Sequence, residues 1–148
     1  NMALVSKALQ TAETERMEAV RAKVEKEKAE VAHARMVFES KSTEATEALE
    51  AAEAATKQAA TMAVGPGRAQ AGEKATRLRA MANEAESAVV DAKAKLAEEE
   101  ADLEESLVEV REIEAELALL WAGLQVVYRP RRCTAGHVVG EVDSCRLL

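Results

Sequence analysis

The chain has very little of what a compact mixed fold is made from. Phe, Tyr and Trp occur once each among 148 residues, Pro occurs twice and Gly six times. An α/β enzyme or a β-sandwich fills its core with aromatic and β-branched side chains and marks its strand ends with turn residues. Both classes are excluded. No stretch approaches the ~18–20 apolar residues that span a bilayer, and the densest, Leu117 to Tyr128, is interrupted by Gly123 and Gln125. Bases are outnumbered, with 20 Lys and Arg against 27 Asp and Glu and a net charge of −7. That balance argues against nucleic acid or an anionic membrane as partner. No Asn-X-Ser/Thr sequon occurs, so no N-linked glycan is expected.

What fills the chain instead is 32 Ala and 24 Glu, both strong helix formers. Gly and Pro cluster internally in one place, from Gly65-Pro66-Gly67 to Gly72. The Gly- and Pro-free stretches on either side predict two long helices, 2–63 and 73–124, about 90 and 75 Å long at ~1.5 Å per residue. The turn is placed at 64–72. Residues 125–148, with Arg129-Pro130-Arg131-Arg132, Gly136, Gly140 and a Val-rich stretch, predict a small irregular or hairpin-like appendage.

Hydrophobic periodicity sharpens this picture. In the first helix, alternating steps of three and four pick out Met17, Val20, Val24, Glu27, Val31, Ala34, Phe38, Lys41, Ala45, Ala48, Ala52, Ala55, Ala59 and Met62. In the second they pick out Leu78, Ala82, Ala85, Val89, Ala92, Leu96, Glu99, Leu103, Ser106, Val110, Ile113, Leu117, Leu120 and Leu124. A sustained 3.5-residue period is the signature of a coiled-coil seam. Upstream of Met17 the apolar stripe runs Met2, Val5, Leu9, Ala12 and slips by one residue, which predicts a change of winding or of partner there. Folding the helices back on each other gives an all-α antiparallel hairpin, one elongated domain and part of a longer helical bundle. If paired positions sum to 140 or 141, Phe38 meets Leu103, Val24 meets Leu117, and the two charged interruptions Lys41 and Glu99 share one structural polar layer. Glu27 then faces Ile113. The seam is graded, Ala-rich near the turn and Val, Leu, Ile and Met at the far end, where two helices alone cannot cover the apolar surface. The 125–148 appendage, a further helix or a second copy is expected to pack there.

No catalytic, cofactor-binding or metal-ligating set emerges. Ten acids lie between Glu98 and Glu116, but a straight helix spreads carboxylates that a hard cation needs converged, so this reads as a solvated face with interhelical pairs. His33 and His137 have no partner ligands at metal spacing. Ser106 and Ser144 lack a base, and Gly65-Pro66-Gly67-Arg68 lacks the Lys-Ser/Thr of a phosphate loop. Cys133 and Cys145, with eleven residues between them, read as a disulfide closing a small loop rather than as a metal or redox pair. Opening on Asn1, the chain reads as a processed piece of a longer precursor.

The Ala/Glu composition, the two long heptad helices, the missing sequon and the processed start together resemble the glutamic acid/alanine-rich surface coat protein of African trypanosomes, over residues 2–124. That family lies near the variant surface glycoproteins, themselves built on a long antiparallel helical hairpin. The resemblance implies a non-enzymatic, lipid-anchored coat glycoprotein on the cell surface, standing upright and packing against neighbouring coat molecules. It also implies carbohydrate on threonine, with Thr43, Thr46, Thr56 and Thr61 as candidates. Cys145-Arg146-Leu147-Leu148 is not a hydrophobic tail, so a glycosylphosphatidylinositol anchor signal would lie outside this stretch. Self-association through the Leu117–Tyr128 end is the expected partner contact. An intracellular coiled-coil scaffold, or a helical receptor for a host macromolecule, are the alternatives the residues leave open.

Overall fold

The structure, a computed structural model, describes the backbone of residues 2–128 and the side chains of residues 2–123. Two helices make up the described residues, α1 (Met2–Thr61) and α2 (Pro66–Tyr128). They pack against each other as a helical hairpin. The expected disulfide of Cys133 and Cys145, and all of the expected appendage beyond residue 128, lie outside the described residues.

The turn is shorter than the glycines predict. α1 stops at Thr61 and α2 has begun by Pro66, so the break covers 62–65 rather than 64–72. Gly65 stands at φ +157°, a conformation open to glycine and strained for other residues. Its carbonyl accepts the first helical bond, from Ala69 N at 3.2 Å. Gly65 is thus the residue that caps α2, and Pro66 takes the first helical position, where its fixed φ and missing N–H cost nothing. Gly67 and Gly72 are absorbed into α2. Each weakens a helix interior by about 0.5–1 kcal/mol relative to Ala, but Ala71 and Ala75 around them extend the apolar stripe and are half-buried and buried. Packing on α1 outweighs the propensity loss. At its other end α2 continues to Tyr128, so 125–128 is helix and not appendage.

From Met17 onward, every stripe position with a described side chain is buried or half-buried, including Lys41, Glu99, Glu27 and Ser106. The chain divides into two compact units, 26–103 and a second made by 1–25 with 104–148. In the first unit the core is largely Ala: Ala34, Ala45, Ala52, Ala55, Ala75, Ala82 and Ala92 are buried with Val31. Small side chains let helix axes approach toward the ~8 Å limit. In the second unit Met17, Val20, Val24 and Ile113 form the core. The gradation of the seam is therefore real.

The register differs from the one expected. Ala34 shares a groove with Glu99, Ala45 shares one with Val89, and Ala59 shares one with Ala75. These partners sum to 133 or 134, one heptad nearer the turn than 140 or 141. The two fully buried alanines of this unit, Ala52 and Ala82, obey the same count. A heptad pattern is unchanged by a shift of seven, so the stripes fit both registers equally. The length of the turn decides between them, and starting α2 at Pro66 rather than Glu73 supplies the seven residues.

Lys41 and Glu99 consequently do not form a shared polar layer. Lys41 Nζ pairs with Glu44 Oε2 at 3.2 Å along α1, and Glu99 Oε1 pairs with Lys95 Nζ at 2.7 Å along α2. Each charge is neutralised within its own helix; Lys41 lays its stem over the seam with its head in water, whereas the Glu99 side chain is only 12% exposed. The Glu98 and Glu99 carboxylates hold the Lys95 ammonium above its ordinary range, chiefly through the hydrogen bond to Glu99.

The expected slip before Met17 does not occur either. The inward frame continues unbroken through Glu13, Gln10, Ser6 and Ala3, all half-buried, and leaves Met2, Val5 and Leu9 exposed. Helical continuity set the facing positions here against the hydrophobic pattern.

Candidate interaction surface

The unit formed by 1–25 with 104–148 carries the charged and apolar features that could meet a partner. Arg16 is its main cross-link. Its guanidinium lies 3.6 Å from Glu109 and 3.3 Å from Glu116 on α2, and 3.5 Å from Glu13 on α1. Arg21 reaches Glu114 at 3.8 Å. Arg111 instead pairs along α2 with Glu104 at 2.9 Å. In the other unit Arg35 reaches Glu100 at 3.3 Å. The acidic run is thus a solvated face laced to α1 by Arg16, Arg21 and Arg35. These pairs are exposed, and each contributes only ~0–1 kcal/mol.

The ion pairs also identify a side of the hairpin. Arg16, Glu109 and Glu116 each precede a seam position, namely Met17, Val110 and Leu117. In an antiparallel pair such residues fall on one side of the seam. Met2, Val5 and Leu9 on α1 and Leu119 on α2 precede Ala3, Ser6, Gln10 and Leu120, so they continue that same side beyond the charged cluster. Met2 is 78% exposed and Leu119 74%. Gly123 on the same side has open space where a Cβ would stand. The result is an apolar face bounded by the Arg16 cluster. Leu4 and Trp121 follow seam positions and are exposed on the opposite side. The sequence signalled the α2 part of this surface in the dense apolar run from Leu117 to Tyr128, which contains Leu119. The α1 part was hidden by taking Met2, Val5 and Leu9 as seam residues.

In the 26–103 unit an open groove of about 590 Å³ lies over the small seam residues Ala34 and Ala92. His33 forms part of its wall beside Lys26, Glu30, Lys95 and Glu99, and the two lysines already pair with acids on their own helices. Among the described residues no three His, Cys, Asp or Glu side chains gather as a metal would require. Nor is any described helix long and apolar enough to cross a membrane. Thr43, Thr46, Thr56 and Thr61 are all exposed, and their hydroxyls donate to backbone carbonyls three or four residues back at 2.7 to 3.1 Å. Ser106 is 1% exposed and its Oγ has no hydrogen-bond partner. The chain matches no protein-family model, no curated protein and no solved structure.

Proposed function

We propose that this chain is a non-enzymatic structural protein that works as a surface coat element, its helical hairpin forming an acidic, protease-resistant layer with copies of itself. The observation that carries the reading is the use made of the seam. From Met17 onward every stripe residue with a described side chain is spent on packing α1 against α2, and the polar groups are spread along straight helices. Catalysis calls for a concave site with converging polar groups, and a paired-helix surface provides length and charge instead.

Neighbouring copies are the proposed partners, meeting along the face of Met2, Val5, Leu9 and Leu119. Packing in a coat supplies a high local concentration, so a contact smaller than the ~800 Å² per partner of a stable soluble dimer is sufficient. A lipid anchor outside this stretch would hold the protein at the membrane, and threonine-linked carbohydrate would extend its polar exterior. The same apolar face favours the second reading, an intracellular helical scaffold that assembles through it. Protease treatment of intact cells of the source organism separates the two. The coat reading expects the protein to be lost from intact cells, whereas survival until the cells are permeabilised would overturn it and favour the scaffold.

A further inference from the structure

On the side of the seam that carries Arg16, the side chains are sorted by chemistry as well as by position. On α1 the residues that precede seam positions are apolar at Met2, Val5, Leu9 and Ala12 and basic at Arg16 and Lys23. Their spacing is a second heptad stripe, lying beside the one that α1 packs on α2. On α2 the corresponding residues are Gly123 and Leu119, then Glu116, Glu112 and Glu109. This side therefore has an apolar end, followed toward the turn by a basic row on α1 beside an acidic row on α2. One contact sets the levels across the hairpin. Arg16 and Glu116 are joined at 3.3 Å. Seven residues farther from the turn on both helices, Leu9 is level with Gly123, and seven residues nearer to it, Lys23 is level with Glu109.

We propose that a second copy of the chain docks on this side about a two-fold axis parallel to the helices, so that α1 of each copy lies against α2 of the other. The inference rests on the copy-to-copy contact proposed above and specifies its arrangement. A heptad stripe is what one helix presents to another, because each side chain enters a hole made by residues three and four apart. Charge decides which helix it meets. An axis along the helices exchanges left and right but keeps every level, so the basic row of one copy faces the acidic row of the other. Arg16 then meets the partner's Glu116, and Lys23 the partner's Glu109. Leu9 reaches the partner's Gly123, where the space a Cβ would fill is open. The same patch is used twice, as a closed two-fold contact requires. An axis across the helices would instead set α1 against α1 and α2 against α2, which puts like charge against like and is disfavoured.

The test uses two versions of the full chain, both carrying Cys133→Ser and Cys145→Ser, one with Leu9→Cys and the other with Gly123→Cys. They are mixed in equal amounts at high concentration and low salt. With one cysteine per chain, every bridge joins two copies. Both positions are exposed, and circular dichroism should show each variant as helical as the parent. After mild oxidation, mass spectrometry without reductant is expected to find the 9–123 heterodimer several-fold in excess of the 9–9 and 123–123 homodimers. Raising the salt to about 1 M, where the screening length falls to about 3 Å, should reduce that excess. A dominant 9–9 homodimer would overturn the arrangement and leave copies in contact on this side. A random mixture of the three bridges, unchanged by salt, would overturn the arrangement together with the contact on which it rests. Protease treatment of intact cells decides the coat reading separately.

Discussion

Ile113 is the largest side chain hidden completely among the described residues, at 0% exposure. Replacing it by Ala removes three carbon atoms from a site with no access to water. At ~0.8 kcal/mol per buried methylene the transfer loss alone is about 2.4 kcal/mol. A residual cavity adds to this and places the expected cost within the ~2–5 kcal/mol range of such truncations. Neighbouring seam residues Val110 and Leu117 are only half-buried and can relax into the space, so the lower half of the range applies, about 2.5–3.5 kcal/mol. The assay is urea unfolding followed by circular dichroism at 222 nm and, in parallel, by fluorescence of Trp121, which lies in the same unit. Leu119→Ala is the internal comparison. Its side chain is as hydrophobic but mostly exposed, so the change should stay within about 0.5 kcal/mol, as surface substitutions do. An Ile113→Ala cost below about 1 kcal/mol, or equal costs for the two variants, would refute the assignment of Ile113 to the core.

Four further substitutions probe other parts of the hairpin. Ser106→Ala should raise stability by about 1 kcal/mol in the same urea assay, because it removes a buried hydroxyl without a partner and installs a better helix former. Gly72→Ala should also stabilise, by up to ~1 kcal/mol, since the site is helical and open where the Cβ would stand; Gly67→Ala should gain less, its new methyl meeting Met62 Cε at 3.3 Å. Ala52→Leu inserts bulk into a layer of zero exposure and should cost ~1–3 kcal/mol, read as a lowered melting temperature.

The fold class was legible because heptad spacing is a long-range signal: from Met17 onward, every residue on the two stripes with a described side chain is buried or half-buried, whatever its chemistry. The register was not, because a stripe repeating every seven residues fits its partner equally well after a shift of seven. Only the turn distinguishes the alternatives. Glycines at 67 and 72 read as loop by local propensity, yet they are helical because Ala71 and Ala75 beside them pack on α1. Lys41 and Glu99 showed the hazard most clearly. Their coincidence in the expected register gave an attractive opposite-charge layer, but Glu44 and Lys95 lie three and four residues away on the same helices and neutralise them at less entropic cost. Before Met17 the pattern misled in a different way. Met2, Val5 and Leu9 look like a seam by spacing, but a continuous helix cannot turn them inward without breaking the frame that buries Met17, Val20 and Val24. The candidate surface exists because those two demands conflict. The Arg16–Glu116 contact was invisible in one dimension, since it joins residues 100 positions apart that no pairing rule singles out.

The claim on which the rest depends is the register, since it fixes which residues meet across the seam and where α2 starts. Disulfide trapping tests it directly, in a background with Cys133 and Cys145 replaced by Ser. The pair Ala45→Cys with Val89→Cys joins two residues that line one groove, whereas Ala45→Cys with Leu96→Cys joins partners of the register one heptad away. Under mild oxidation, followed by peptide mapping without reductant, the 45–89 bridge should form rapidly within one chain while the 45–96 pair stays reduced. Formation of the 45–96 bridge in preference to 45–89 would contradict the structure and restore the longer turn.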